Sequence, residues 1–173
     1  MKNFFLFICI FISINHLHAN NIATFKFSVI LENFDPYINF VEKLDNFKKK
    51  KFEDLKRQEE SIINFKKEIE DSKILFSEKE YLQKVAEYNE KKDTFEKKVN
   101  KLNDYLQNNI KNNEKKVLIK VINIVKRLSA ENNIDIVFSD DQYFLAAENI
   151  DLSKKILDAL NLENITLDLT KYD

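Results

Sequence analysis

The chain has 173 residues, a formal net charge of −1 and a charged fraction of 33%, and it contains no Gly, no Trp, one Cys and one Pro. A chain of this length is typical of one domain, or of one domain with a long appendage. Without Gly, neither a Walker-type phosphate loop nor a dinucleotide-binding turn can be built.

The first element, residues 1–19, has the layout of a secretory signal peptide. Lys2 supplies a positive charge, Phe4 to Ile14 is apolar apart from Ser13, and the segment ends on Ala19. The apolar run is shorter than the ~20 residues that a membrane span needs. We therefore expect cleavage after about Ala19 and export of the remainder. A retained N-terminal anchor is the alternative.

Cleavage at this point would remove the only Cys, the only Met and both His residues. The exported chain would then have no imidazole base, no thiolate nucleophile, no His or Cys metal ligand and no disulfide. Carboxylate pairs remain, but on long polar helices they are more often solvated or ion-paired. We therefore expect a protein that is not an enzyme and that carries no cofactor or metal.

Residues 36–130 are predicted to form a long antiparallel helical hairpin. No Pro or Gly lies between Phe40 and Leu128, which permits helices far longer than the ~11 to 12 residue average. In FSEKE, Phe76 to Glu80, a Ser and a Glu stand in capping-box relation, so a second helix begins there and the tip lies near residues 76–80. Apolar residues recur at heptad spacing on both sides of this tip: Leu55, Ile62, Ile69 and Phe76 before it, and Tyr81, Tyr88, Phe95 and Leu102 after it.

The seam of this hairpin is imperfect. Polar residues such as Lys66 and Lys92 stand at or beside positions that a stiff coiled coil would fill with Leu or Ile. We expect a loosely zipped pair of helices that can splay. Compositional drift toward Phe, Asn and Lys is the other explanation.

The hairpin is also basic. Residues 42–130 sum to +6 and residues 131–173 to −7, and Lys48 to Lys51 supply much of the basic excess. Such a surface can attract nucleic acid, anionic lipid or acidic polypeptide. Export argues against nucleic acid, which leaves a polypeptide or a peripheral contact with anionic lipid. A Lys/Glu-rich helix that only keeps itself soluble is the plainer interpretation.

The late segment IDIVFSDDQYFLAA, Ile134 to Ala147, is predicted to form a β-hairpin. Apolar and polar residues alternate over 134–139 and 142–147, and Ser139-Asp140-Asp141 supplies turn chemistry. A lone hairpin is marginal in water, so the β-rich run at 21–27 is predicted to add a third strand. A helix over 152–161 then closes a small α+β body of residues 20–35 and 131–161, and residues 162–173 form a tail.

So small a body is predicted to self-associate, because three strands and a short helix give too small a core to stabilise a folded monomer alone. The pattern alone does not give the number of copies. The residues expected at the interface are Ile22, Phe25, Ile134, Ile136, Phe138, Tyr143 and Leu145.

Both ends of the predicted mature chain resemble the Skp/OmpH family of periplasmic chaperones, also called the seventeen-kilodalton-protein family. NIATFKFSVILEN (Asn21 to Asn33), followed by Pro36, is similar to the family's opening strand and short helix. NIDIVFSDDQYFLAAENIDLSKKILDAL (Asn133 to Leu160) is similar to its closing strand pair and helix. The chain departs from characterised members in its acidic balance and in its tail, Leu162 to Asp173, which extends past the usual end of the family.

The resemblance implies a periplasmic homotrimer in which three small sheets close into a β-barrel body and three helical arms surround a cavity. The implied activity is ATP-independent holding of unfolded outer-membrane proteins through many weak contacts. An exported structural or adhesive coiled-coil protein that binds one defined envelope partner is the alternative. The arm residues expected to contact clients are Lys48, Lys49, Lys50, Lys51, Phe52, Phe65, Phe76, Tyr81 and Tyr88.

Overall fold

The computed structural model describes residues 21–172, so the predicted signal peptide lies outside the described residues. A long helical hairpin projects from a small body, which is made of β1, α1 and the elements after the hairpin up to residue 160. Over the described range, no helix is both long enough and apolar enough to span a bilayer. The elements are β1 (Ile22–Phe25), α1 (Phe27–Glu32), α2 (Asp35–Asp71), α3 (Glu78–Asn132), β2 (Ile136–Ser139), a 3₁₀ turn (Glu148–Ile150) and α4 (Ser153–Leu160).

The predicted helical hairpin is present as α2 and α3, of 37 and 55 residues, which correspond to ~55 and ~80 Å at 1.5 Å per residue. The predicted capping box is formed: the Ser77 amide donates to Glu80 Oε2 at 2.9 Å, and the Glu80 amide donates to Ser77 Oγ at 3.4 Å. The reversal at residues 72–77 follows from this helix start. At the other end, α3 stops at Asn133, whose φ of 52° is a left-handed conformation that Asn tolerates well.

The two ends of the chain meet in the sheet, as the sequence predicts. β1 and β2 pair in parallel, with Ile22 opposite Ile136 and Phe25 opposite Ser139. A parallel pair needs a long connection between its strands, and here the whole arm is that connection.

The predicted β-hairpin is wrong, because residues 142–147 form no strand and the sheet within residues 21–172 has two strands. Asp140 in the expected turn is held elsewhere: its carboxylate accepts from the Phe27 amide at 3.0 Å and from Ser28 Oγ at 2.8 Å. The second edge of β1 is also used, since the Leu152 amide donates to the Thr24 carbonyl at 2.7 Å. The chain therefore leaves the sheet after β2 and returns beside β1 at residue 151.

The core lies where the body joins the root of the arm. α1, the start of α2, the last third of α3 and α4 all contribute apolar side chains to one cluster. The side chains with no exposed surface include Ile30, Phe34, Phe40, Val117, Val121, Ile156 and Leu160. The arm is thus anchored rigidly at one end, while its other end projects.

Candidate functional site

The outer arm, defined as residues 52–98, is packed more loosely than the root. Ile69 is its only buried apolar side chain, and the seam residues Leu55, Ile62 and Phe95 are half-buried. Toward the body, the seam-facing apolar residues of α3 are nearly or fully buried: Leu102, Val117, Val121 and Ile124. The helices of the outer arm are therefore held together by few fully desolvated contacts, and separating them costs less than separating the root.

The four predicted basic contact residues differ in how available they are. Lys48, Lys49 and Lys50 are exposed, whereas Lys51 is half-buried and its ammonium lies 5.6 Å from the centroid of the Phe47 ring. Lys49 pairs with Asp45 at 2.9 Å. The hydrogen bond from Lys49 holds the pKa of the Asp45 carboxyl below its usual value, and the same bond raises the pKa of Lys49.

Two of the predicted aromatic contact residues are already engaged within the arm. Phe65 is half-buried with the ammonium groups of Lys84 and Lys91 at 5.3 and 5.2 Å from its ring centroid. The Lys73 ammonium lies 5.3 Å from the Tyr81 ring. The contacts to Phe65 join α3 to α2, and the contact to Tyr81 joins the reversal to α3, so all of them stabilise the hairpin.

The remaining three aromatic residues are more open to different degrees. Phe52 is exposed, and the Lys48 ammonium lies 5.7 Å from its ring centroid. Phe76 and Tyr88 are half-buried. Phe52 is thus the predicted aromatic contact that offers the most free surface.

The tip carries an apolar surface that the sequence reasoning missed. Ile74 and Leu75 lie in the reversal and are 96% and 83% exposed, and Leu82 in the first turns of α3 is also exposed. The available signal was the pair of adjacent apolar residues between the last seam position of α2 and the capping box. Because Ile74 and Leu75 are so exposed, packing within the arm does not explain why apolar residues stand at these positions.

On the body, an apolar surface includes several of the residues predicted at the oligomer interface. Ile22 and Ile136 stand opposite each other in the β1–β2 pair, and both are exposed. Leu145 is 85% exposed and its neighbour Phe144 is fully exposed. Phe25 is instead buried in the core of its own protomer, and the other predicted residues, Ile134, Phe138 and Tyr143, are half-buried.

A cleft of about 760 Å³ lies beside this surface, between α1, α3 and the segment after β2. Leu118, Ile122 and Val137 line it with apolar surface, and Asp140 lies at its edge. Partial burial disfavours the ionised form of Asp140, but hydrogen bonds from Ser28 and the Phe27 amide outweigh burial and hold the pKa of this carboxyl below its usual value. The ionised Asp140 side chain therefore links α1 to the end of β2 by hydrogen bonds.

Residues 21–172 contain no group of three His, Cys, Asp or Glu side chains placed to hold a metal ion. The candidate sites are surfaces built from apolar and basic side chains along an arm and on a body. Surfaces of this kind are typical of sites that bind other polypeptides, by burial of apolar surface and by attraction between opposite charges.

Comparisons with known proteins agree with this architecture. A comparison with curated protein sequences gives no match. A solved structure from Caulobacter crescentus CB15, described as an OmpH-like outer membrane chaperone, is similar with a TM-score of 0.62 and 14% identity, over 88% of this chain and 92% of that chain. At this identity the likeness shows a shared fold. The family model for OmpH-like outer membrane proteins matches residues 21–160. This match covers most of the chain, and the chain belongs to the OmpH-like family.

Proposed function

We propose that this chain is an ATP-independent holdase that binds unfolded outer-membrane proteins in the periplasm, after export and cleavage near Ala19. The observation that carries the proposal is the loosely packed outer arm with an apolar tip, in a chain of the OmpH-like family. A holdase needs affinity for unfolded chains and no catalytic group, because binding alone shifts the folding equilibrium of the client.

The outer arm suits weak binding at many points. Exposed Phe52 and the apolar tip residues Ile74 and Leu75 offer separate small contacts along its length. Lys48 and Lys50, which have no acidic partner within 4 Å in the described part of the chain, add attraction for acidic segments. Contacts that are individually weak give useful affinity when several engage one client at once.

We also propose that the protein is an oligomer. The family resemblance implies a trimer in which the sheets close into a β-barrel. The outer edge of β2 has no strand partner within residues 21–172, and such edges pair readily with another chain. Nearby Phe144 and Leu145 are almost fully exposed, and the Tyr143 hydroxyl is buried with no hydrogen-bond partner among the described residues. A second copy that packs against residues 142–147 would cover the exposed Phe144 and Leu145 side chains.

The test is suppression of aggregation. The chain without residues 1–19 is mixed at near-stoichiometric ratios with several unrelated β-barrel proteins diluted from denaturant, with no nucleotide present. We expect suppression for all of them, and light scattering measures it. Suppression of none would contradict the proposal, and tight binding of one defined envelope protein would support the structural or adhesive alternative.

A further inference from the structure

The tail, residues 162–172, lies beyond the family match and runs back along the root of the arm. Glu163 pairs with Lys120 of α3 at 2.8 Å, and Asp168 pairs with Lys43 of α2 at 3.3 Å. Between Glu163 and Asp168, Leu167 is buried and Ile165 packs against the same core cluster, as does Leu169 just beyond Asp168. The tail is extended, antiparallel to α3, and in contact with both helices.

Side chains of α3 bind the backbone of this tail. Asn109 Oδ1 accepts from the Thr170 amide at 2.8 Å, Asn113 Nδ2 donates to the Asp168 carbonyl at 3.2 Å, and the Tyr105 hydroxyl donates to the Thr170 carbonyl at 2.7 Å. Both Asn side chains are 1% exposed. Four residues of helix advance ~6.0 Å and two residues of extended chain ~6.6 Å, so the two Asn match alternate tail residues.

These buried amides explain why a polar pair stands on the apolar face of α3. Buried polar groups require hydrogen-bond partners. For Asn109, the Nδ2 group donates to the Tyr105 carbonyl within the helix and to Thr170 Oγ1, but its Oδ1 depends on the tail. The groove is therefore built to contain an extended chain.

The end of the tail is held by an aromatic anchor. The Tyr172 ring lies 5.4 Å from Phe47 of α2 and 4.9 Å from Tyr105 of α3, between ring centroids. The ammonium groups of Lys51 and Lys101 lie 4.9 and 5.7 Å from the same ring. Both helices of the arm thus contribute to one pocket for an aromatic side chain.

We propose that this groove, residues 105–113 of α3 with Phe47 and Lys51 of α2, is a binding site for an extended polypeptide with alternating apolar residues followed by an aromatic residue. The tail occupies it in competition with extended segments of unfolded clients. The inference deepens the proposed function and rests on it. Displacement of the tail opens the site when a client arrives.

The contacts favour a client over other ligands. Three of the hydrogen bonds join α3 side chains to backbone groups of the tail, and every unfolded chain carries such backbone groups. The apolar residues Ile165, Leu167 and Leu169 alternate with polar ones, which is the pattern of strands in outer-membrane β-barrels. A tethered tail has an effective concentration that only a client engaged elsewhere on the arm can match.

The test measures how tightly a dye-labelled peptide with the sequence of residues 162–173 binds to the protein. Every protein variant keeps its own complete tail. Thr170→Pro with Tyr172→Ala removes the amide bound by Asn109 and the aromatic anchor, and so unseats the tail. Its matched control is Thr166→Pro with Leu162→Ala, because Leu162 is 89% exposed and Thr166 is exposed and makes no hydrogen bond within residues 21–172. We expect the peptide to bind the unseated protein about tenfold or more tightly than the wild type or the control.

Two further measurements define the site and its ligand. Asn109→Leu added to the unseated protein should abolish peptide binding, while circular dichroism shows the helices intact. An unfolded β-barrel protein should displace the peptide from the unseated protein. Equal peptide affinity for all three proteins, or bound peptide that no unfolded β-barrel protein displaces, would overturn the inference. Failure of the wild type to suppress aggregation would instead overturn the proposed function, and it leaves the peptide result unchanged.

Discussion

Asp140 accepts a hydrogen bond from the Phe27 amide at 3.0 Å, across 113 residues of sequence. This contact joins the start of α1 to the end of β2 and closes the body around the root of the arm. The expected turn is formed, since the Gln142 amide donates to the Ser139 carbonyl at 2.9 Å, but the chain after it does not return as a strand.

Replacement of Asp140 by Ala should lower the free energy of unfolding by about 1 to 2 kcal/mol, because the amide and hydroxyl groups at the start of α1 lose their acceptor. Chemical denaturation followed by circular dichroism measures this change. Asp141→Ala is the matched control, since Asp141 is exposed and, among the described residues, accepts a hydrogen bond from the nearby Ser139 alone. Equal losses for both variants would contradict the bracing role.

The same carboxylate predicts a dependence on pH. Its pKa in the folded protein lies below its usual value, so its stabilisation is fully present above the unfolded pKa of about 3.9. The stabilisation is lost as the pH falls through the folded pKa. The difference in unfolding free energy between wild type and Asp140→Asn should therefore shrink as the pH is lowered from 6 toward ~3. A difference that grows with acidity would be inconsistent with this carboxylate acting in its ionised form.

Apart from the pairing of β1 with β2, the parts of the fold that the sequence predicts are encoded locally. The arm follows from heptad spacing and from a capping box that spans four residues, Ser77 to Glu80. The predicted strand over 142–147 is absent because the alternation there is a local pattern, whereas the path of the chain after β2 depends on Asp140, which a distant residue, Phe27, holds. The groove for the tail was invisible for the same reason, since Asn109 and Asn113 look like ordinary polar residues of an exposed helix until their partners are known.

Ser77→Ala should destabilise the start of α3 by about 1 kcal/mol. The Ser77 hydroxyl and amide also hold the pKa of Glu80 below its usual value, so both members of the capping box contribute to this helix end. Hydrogen exchange should show faster exchange for amides near the tip and unchanged exchange at the root. Ser61→Ala, on the exposed face inside α2, is the control and should leave the exchange at the tip as it is.

Charge reversal at Lys48 and Lys50 to Glu should weaken client capture severalfold at low salt and much less at high salt, because salt screens exposed charges. The same change of charge at Lys154 and Lys155 on α4, which are exposed on the body, is the control. Suppression of aggregation at two salt concentrations measures the effect. Equal loss at both concentrations would indicate damage to the arm in place of lost attraction.

Leu145→Asp should dissociate the proposed oligomer without unfolding the protomer. In the single chain this side chain is 85% exposed, so a carboxylate there costs little until another copy covers it. Once buried and unpaired at an interface, the carboxylate is strongly unfavourable.

Phe138→Asp should act in the same direction, although Phe138 is half-buried in the protomer and its replacement also weakens the body. Native mass spectrometry should show the loss of the larger species. Leu162→Asp, at a side chain that is 89% exposed and outside the body, should keep the wild-type mass. An unchanged mass for Leu145→Asp would place the interface elsewhere, because an oligomer that tolerates a charge at residue 145 does not bury this side chain.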